Sequence, residues 1–451
     1  MSSVAQAVPS APTRAAAGLH SRQAWTVALL FVGYAAYYFC RSDLSVAMPQ
    51  LIEDLQRHGM AGSDAVIRLG QLASFGVLAY ALGKLCLTGL GDIWGGRRSF
   101  TLGMGGAVLF TLLFASTGFL PVFTIAWIGN RLSQSIGWAG LIKVCSKWFG
   151  YSSYGTVIGI LSLSYLVGDA AARQSMGLLM QHGFGWRTIF FFAALVAGVC
   201  LLANLLFLRE SRVDAGYAPP QANPLNLFAG SSSEARTIWE VLKPLLMSRT
   251  FGLVCLLSLG CTLVRETFGL WTTVYLHDFF AYSVSRAASA SAIFPALGAV
   301  SVLLTGWISD RLGASGRSLV MFYCLTATVA PLAVLVSLRS ASILPVVAIG
   351  AVALFLIGPY SYLAGAFALD LGGSKAGAAS SGLIDGVGYL GGVAAGDSIA
   401  RLSVAFGWRG VFAVLTVVTA LSALAAGYLY FHQRGVQRKM TTQGEDHDEK
   451  R

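Results

Sequence analysis

Tyr34, Tyr38 and Arg41 stand at i, i+4 and i+7 in the stretch GYAAYYFCRSDLSVAMP (Gly33–Pro49), a spacing that sets two phenols and a guanidinium on one face of a helix. That set of groups is suited to holding an anion. The stretch lies inside an apolar run from Trp25 to about Ile52, longer than the ~20 residues that cross a membrane. A charge near the middle of such a run costs about 2.5–3.5 kcal/mol on insertion scales, so it is expected to face a bundle interior or a wet cavity. There it either serves a ligand or is neutralised by an acid on another helix, and this stretch leaves both open.

The elements that must position these groups follow from composition. Of 451 residues, 55% are hydrophobic and 11% charged, where a soluble domain carries about a quarter charged. This is the composition of an all-α integral membrane protein. The net charge of +11 falls in short segments between hydrophobic runs, as in cytoplasmic loops, and no arginine-rich tract suggests nucleic acid. The seven cysteines are scattered singly, without metal-ligand or CxxC spacing, and read as packing residues. No nucleotide-binding loop, HExxH, GxSxG or Ser/His/Asp arrangement appears; neither catalysis nor a cofactor is expected.

The hydrophobic runs count to twelve, near 25–52, 69–90, 99–118, 121–144, 154–180, 187–208, 249–277, 285–307, 318–337, 343–367, 376–402 and 410–431. A proline-bearing polar linker, 209–248, separates six from six. The domains expected are a disordered N-terminal tail (1–24), a six-helix bundle (25–208), the linker, a second bundle (249–431) and a C-terminal tail (432–451). The Lys and Arg balance puts both ends and the linker in the cytoplasm.

The halves repeat. GLGDIWGGRR (Gly89–Arg98) is echoed by GWISDRLGASGR (Gly306–Arg317), FGWR (Phe184–Arg187) by Phe406–Arg409, and GDAAAR (Gly168–Arg173) by GDSIAR (Gly396–Arg401). At a similar offset Arg41 maps to Arg265 in the seventh span, with Tyr34 on Ser258 and Tyr38 on Thr262. Two parallel repeats with a site at their interface near the midplane describe a transporter whose halves rock.

Gly89–Arg98 has the look of the loop signature of the major facilitator superfamily, in which Asp92 and its echo Asp310 would join helix-end ion pairs that latch the bundle. GYAAYYFCRSDLSVAMP, Ala126–Phe149, Val264–Leu276 and GVGYLGG (Gly386–Gly392) resemble the organophosphate:phosphate antiporter family of that superfamily, over about Trp25 to Phe431. The resemblance implies exchange of a phosphorylated metabolite (sugar phosphate, glycerol phosphate or similar) for inorganic phosphate by a rocker-switch, in a bacterial inner membrane. It also implies that Arg41 and Arg265 grip the phosphate, with Lys84, Tyr34, Tyr38 and Tyr389 around them. The physics agrees, because guanidinium forks replace the hydration of a phosphate dianion with charge-assisted bonds.

The chain departs from the family's pattern at Tyr165, where relatives carry a histidine, and at Ile357, with Tyr360 nearby. Substrate identity is therefore expected at Tyr165, Ile357, Tyr360, Asp385 and Gln134. Asp169/Arg173 and Asp397/Arg401 are i, i+4 pairs, expected as ion pairs or a gate at the outer mouth. Glu266 points about 100° away from Arg265 on an ideal helix and is not expected to pair with it. Arg131 reads as a structural charge between helices. The rival readings are a transporter-like sensor of sugar phosphate signalling to a histidine kinase, and a proton-coupled carrier of another substrate with Asp385 or Glu266 titrating.

Overall fold

The computed structural model describes residues 13–87, 94–149, 157, 159–218, 245–312, 316–338, 343–367 and 382–448. In the first half the helices are α1 (Thr13–Arg57), α2 (Gly62–Leu87), α3 (Gly96–Ser116), α4 (Leu120–Ser135), α5 (Gly137–Trp148), α6 (Ser164–Gln181) and α7 (Trp186–Phe207). The second half holds α8 (Arg249–Phe280), α9 (Val284–Ser291), α10 (Ile293–Arg311), α11 (Gly316–Ser337), α12 (Leu344–Tyr362), α13 (382–394) and α14 (Asp397–Asp448). A π-helical turn, Leu363–Phe367, follows α12.

Nine helical pieces among the described residues are long and apolar enough to cross a membrane. One of them, Gly382–Gly435, folds back at Gly407, where φ is 66°, and so supplies two spans. The fourth span is split at Ile136 into α4 and α5. With the fifth, of which α6 is the main part, the count reaches the expected twelve. Two boundaries differ from expectation: α1 begins at Thr13, inside the supposed tail, and α14 runs on to Asp448.

Each half packs on itself, α1 against α6 and α7, α3 against α4, α5 and α7, α11 against α12 and α14, and α10 against α12. The repeat seen in the sequence is also structural. Both FGWR segments form the turn between their half's last two spans. Arg187 Nη2 donates to Thr117 O (3.3 Å) and Arg409 Nε to Val336 O (2.9 Å), each reaching the C-terminal end of the half's third span. Cations there satisfy orphan carbonyls and complement the helix dipole.

At the linker end of the first half, Glu210 accepts hydrogen bonds from Gly96 N (2.9 Å), Arg97 N (2.7 Å) and Lys147 Nζ (2.6 Å). A carboxylate is well placed at the N-terminus of α3, where free N–H groups and the dipole attract negative charge. Asp92, expected to anchor this loop, lies outside the described residues, and Asp310 is described only as backbone near the end of α10. Partial burial alone would raise the pKa of Glu210, but Lys147 and the two backbone N–H groups hold it below the usual carboxylate value. Its contribution to stability is therefore present above the unfolded-state pKa and is lost as pH falls through the lower folded value. Glu210→Gln is expected to cost about 1–2 kcal/mol at neutral pH and nothing once both forms are neutral in acid, read as thermal melting across pH. Equal melting of the two proteins at pH 7 would count against this role.

Candidate anion-binding site

Arg41 owes its aim to a break in α1. Cys40 has non-helical angles (φ −81°, ψ 15°), and its carbonyl accepts Gln134 Nε2 at 2.9 Å. A kink inside a membrane helix persists where neighbouring side chains satisfy the freed backbone groups. This corrects the role expected for Gln134. It is buried, spends its amide on Cys40 O and Asn130 Oδ1 (2.6 Å), and lines neither of the chambers described next. Its amide braces the kink next to Arg41.

Two chambers lie between the halves. The outer one, about 100 Å³, is lined by charged groups, Arg41, Arg131, Arg265 and Arg173 with Glu266 and Asp169. The inner one, about 200 Å³, is lined by Tyr34, Tyr80, Tyr360 and Tyr389 with Lys84 and Asp385. Tyr38, Tyr165 and Arg265 border both. Thus all the expected binding residues except Gln134 converge, although they come from six spans.

In the outer chamber Arg41 Nη2 lies 4.0 Å from Glu266 Oε1, and Arg265 Nη2 hydrogen-bonds to that same oxygen. Arginines from opposite halves therefore converge on one carboxylate oxygen. The expectation that Glu266 diverges from Arg265 fails. The 100° rule fixes Cα–Cβ directions, but guanidinium and carboxylate arms are long enough to curl together. Arg41 stacks over Tyr38 (5.1 Å) and Tyr80 (4.8 Å), and Arg265 over Tyr360 (4.8 Å). These rings hold cations by their quadrupoles without consuming N–H donors. Arg41 Nη2 and Arg265 Nε are buried and have no hydrogen-bond partner.

Arg131, expected as a structural charge between helices, also faces this cavity. It lines the outer chamber, its guanidinium lies 5.0 Å from the Tyr80 ring centre, and no ion pair neutralises it. Tyr80 thus serves Arg41, Arg131 and Lys84 (5.2 Å) together.

In the inner chamber Lys84 Nζ bonds Asp385 Oδ2 at 2.6 Å across the two halves, with Tyr389 5.3 Å from the ammonium. Tyr80 and Tyr389 meet edge to face at 5.1 Å, Tyr38 and Tyr165 pack at 5.6 Å, and Tyr34 lies on Trp138 at 5.0 Å. Ser258, the echo of Tyr34, lines this chamber; Thr262, the echo of Tyr38, is buried and lines neither.

Towards the short-loop end, away from the linker, the halves are stitched together. Arg173 is bound to Asp169 (2.8 Å) and donates to Ser45 (3.3 Å), Ser291 (3.1 Å) and Gly269 O (2.6 Å), joining α6 to α1, α9 and α8. Asp169 also accepts from Ser42. Its sequence echo does none of this: Arg401 is 56% exposed and bonds only Asp397, 3.0 Å away. The two pairs are thus unequal: the Arg173 side chain bonds across the halves, whereas in the second pair only the Asp397 backbone N–H crosses, to Ser74 Oγ at 2.8 Å.

The seam continues with Ser45 Oγ on Leu270 O (2.8 Å), Ser74 Oγ on Val393 O (2.6 Å) and Glu53 3.6 Å from His277. It needs glycine where α2 meets α14, since a Cβ on Gly70 would lie 2.5 Å from Ala400 Cβ. Gly70→Leu is expected to wedge the seam at a cost of about 1–3 kcal/mol, raising the open population about tenfold. A Ser289→Cys reporter at this end should then react faster with a bulky thiol reagent, and unchanged labelling would count against the seam as a gate.

A family model described as Major Facilitator Superfamily matches residues 30–396. The chain is 24% identical over 396 residues to a glycerol-3-phosphate transporter of Bacillus subtilis (strain 168), covering 86% of this chain and 87% of that one. It is also 24% identical over 415 residues to the membrane sensor protein UhpC of Escherichia coli (strain K12), covering 88% and 89%. Among solved structures, a bacterial homologue of the human lysosomal transporter Spinster, inward-facing and unoccupied, superposes with a TM-score of 0.70 at 16% identity, covering 92% of this chain and 97% of that one. That likeness concerns the fold.

Proposed function

The chain belongs to the major facilitator superfamily, and on that premise we propose that it is a secondary transporter exchanging a phosphorylated metabolite for inorganic phosphate across the membrane. One observation carries the reading: Arg41 and Arg265, from opposite halves, converge on a single carboxylate oxygen in a chamber closed towards the short-loop end. Glu266 occupies the position a phosphoryl oxygen would take. A phosphate arriving there exchanges carboxylate contacts for stronger, multidentate ones. It also ties the halves together, so binding favours closure around it.

In this scheme the phosphate sits in the outer chamber and the organic part among the tyrosines, Lys84 and Asp385 of the inner one. Hydroxyls suit phenols, while the Lys84–Asp385 pair offers one donor and one acceptor to a polar substituent. The distribution of basic residues assigns both termini and the linker to the cytoplasm, and under that orientation the closed short-loop end faces outside. The family-wide likeness to a glycerol-3-phosphate transporter supports the substrate class. A second reading, a sugar-phosphate sensor acting with a histidine kinase, is favoured by the equal likeness to a sensor protein.

Exchange in proteoliposomes separates them. Vesicles loaded with phosphate should take up labelled phosphate rapidly, and one member of a panel of organophosphates should block the uptake. Binding without flux would move the assignment to the sensor. Uptake driven by a pH gradient without internal phosphate would move it to a proton-coupled carrier.

A further inference from the structure

We propose that Arg131 is the third arginine of the phosphate grip and sets the site for dianions over monoanions; this deepens the exchange reading and rests on it. Arg131 is 2% exposed, yet its Nε and Nη1 are buried without a hydrogen-bond partner. Buried guanidinium donors are normally satisfied, because leaving a charged group unpaired inside a protein is costly. An arginine kept in that condition on the wall of a charged cavity is waiting for an acceptor that arrives from outside the chain.

The charges of the chamber say what that acceptor is. Asp169 is taken by Arg173 and Ser42, and Asp385 by Lys84. Arg41, Arg131 and Arg265 are left with one counterion, Glu266, which faces the first and last of them. Asp43, on α1, is also buried and interacts electrostatically with Arg131, but it forms no salt bridge with it, does not line the chamber, and binds Leu44 N through Oδ1 at 2.7 Å. Among the groups that line the chamber and are not paired elsewhere, three guanidiniums face one carboxylate, an excess of two positive charges at the cavity wall that a dianion matches and a monoanion does not.

Geometry fits the same conclusion. Arg41 and Arg131 lie 4.8 and 5.0 Å from the same Tyr80 ring centre, so one aromatic ring contacts both guanidiniums. Two arginines come from the first half and one from the second. A tetrahedral phosphate monoester offers three terminal oxygens, one for each.

The test compares methyl phosphate with methyl sulfate at pH 8 as competitors of labelled inorganic phosphate bound to the purified full-length protein. The two have the same shape and differ by one negative charge, the second phosphate pKa being about 6. The wild-type protein should prefer methyl phosphate by about a hundredfold. Arg131→Gln should weaken methyl phosphate at least about tenfold while methyl sulfate changes little, and Arg131→Lys should recover part of the preference. A wild-type ratio near one, or equal losses for both ligands in a stably folded Arg131→Gln protein, would overturn the proposal. Wild-type protein that binds no labelled phosphate would instead overturn the exchange reading on which it rests.

Discussion

Arg41→Lys should reduce phosphate exchange at least about a hundredfold while the protein still folds and inserts. A lysine keeps the charge but replaces a planar fork by a single ammonium that cannot span two oxygens. Losing one charge-assisted bond costs about 1.5–3 kcal/mol, and here the lost fork also loosens the contact between the halves. The stacking over Tyr38 and Tyr80 that fixes the guanidinium (5.1 and 4.8 Å) is lost with it. Arg265→Lys should behave alike, because Arg265 meets the same carboxylate from the other half. Initial rates in proteoliposomes, normalised to inserted protein, check this. Near-normal exchange by Arg41→Lys would remove the grip from the account.

Glu266→Gln should act in the opposite direction on binding. In the empty protein this carboxylate neutralises Arg41 and Arg265 and shields their mutual repulsion. It therefore competes with the incoming anion. Without it, phosphate affinity should rise about ten- to a hundredfold, from one lost interaction of about 1.5–3 kcal/mol. Turnover should fall, since the anion must leave a site that no longer contains a replacement for it. Equilibrium binding and exchange rate, measured on the same preparation, separate the two effects. A loss of phosphate affinity would mean that Glu266 recognises a cationic or hydroxyl group of the ligand.

How far the sequence led depends on what each residue answers to. Arg41 and Arg265 were legible because a charge in a membrane span is expensive and the internal repeat paired them. Lys84 and the tyrosines at 34, 38, 165, 360 and 389 were legible from helix spacing and from resemblance. Twelve spans and the FGWR turns followed from hydrophobicity and repetition. What escaped depended on side-chain reach and on tertiary breaks. Glu266 curls back onto its own neighbour, which no rule about helix faces contains. Gln134 is drawn away from the chambers by a kink at Cys40 that no proline or glycine announced. The two GDxxAR segments are alike in sequence but unequal in their side-chain pairs, because Arg173 is buried and bonds across to the opposite half while Arg401 turns to the surface. Glu210 entered the loop network from a linker with no fixed spacing to its partners.

The central claim is that one anion is held by both halves at once. Binding of labelled inorganic phosphate to four purified proteins, wild type, Arg41→Lys, Arg265→Lys and the double variant, tests it most directly. Each single variant is expected to lose most of the affinity and the double variant little more, because a bridge fails when either end is removed. Losses that simply add, or one single variant that binds like wild type, would contradict it.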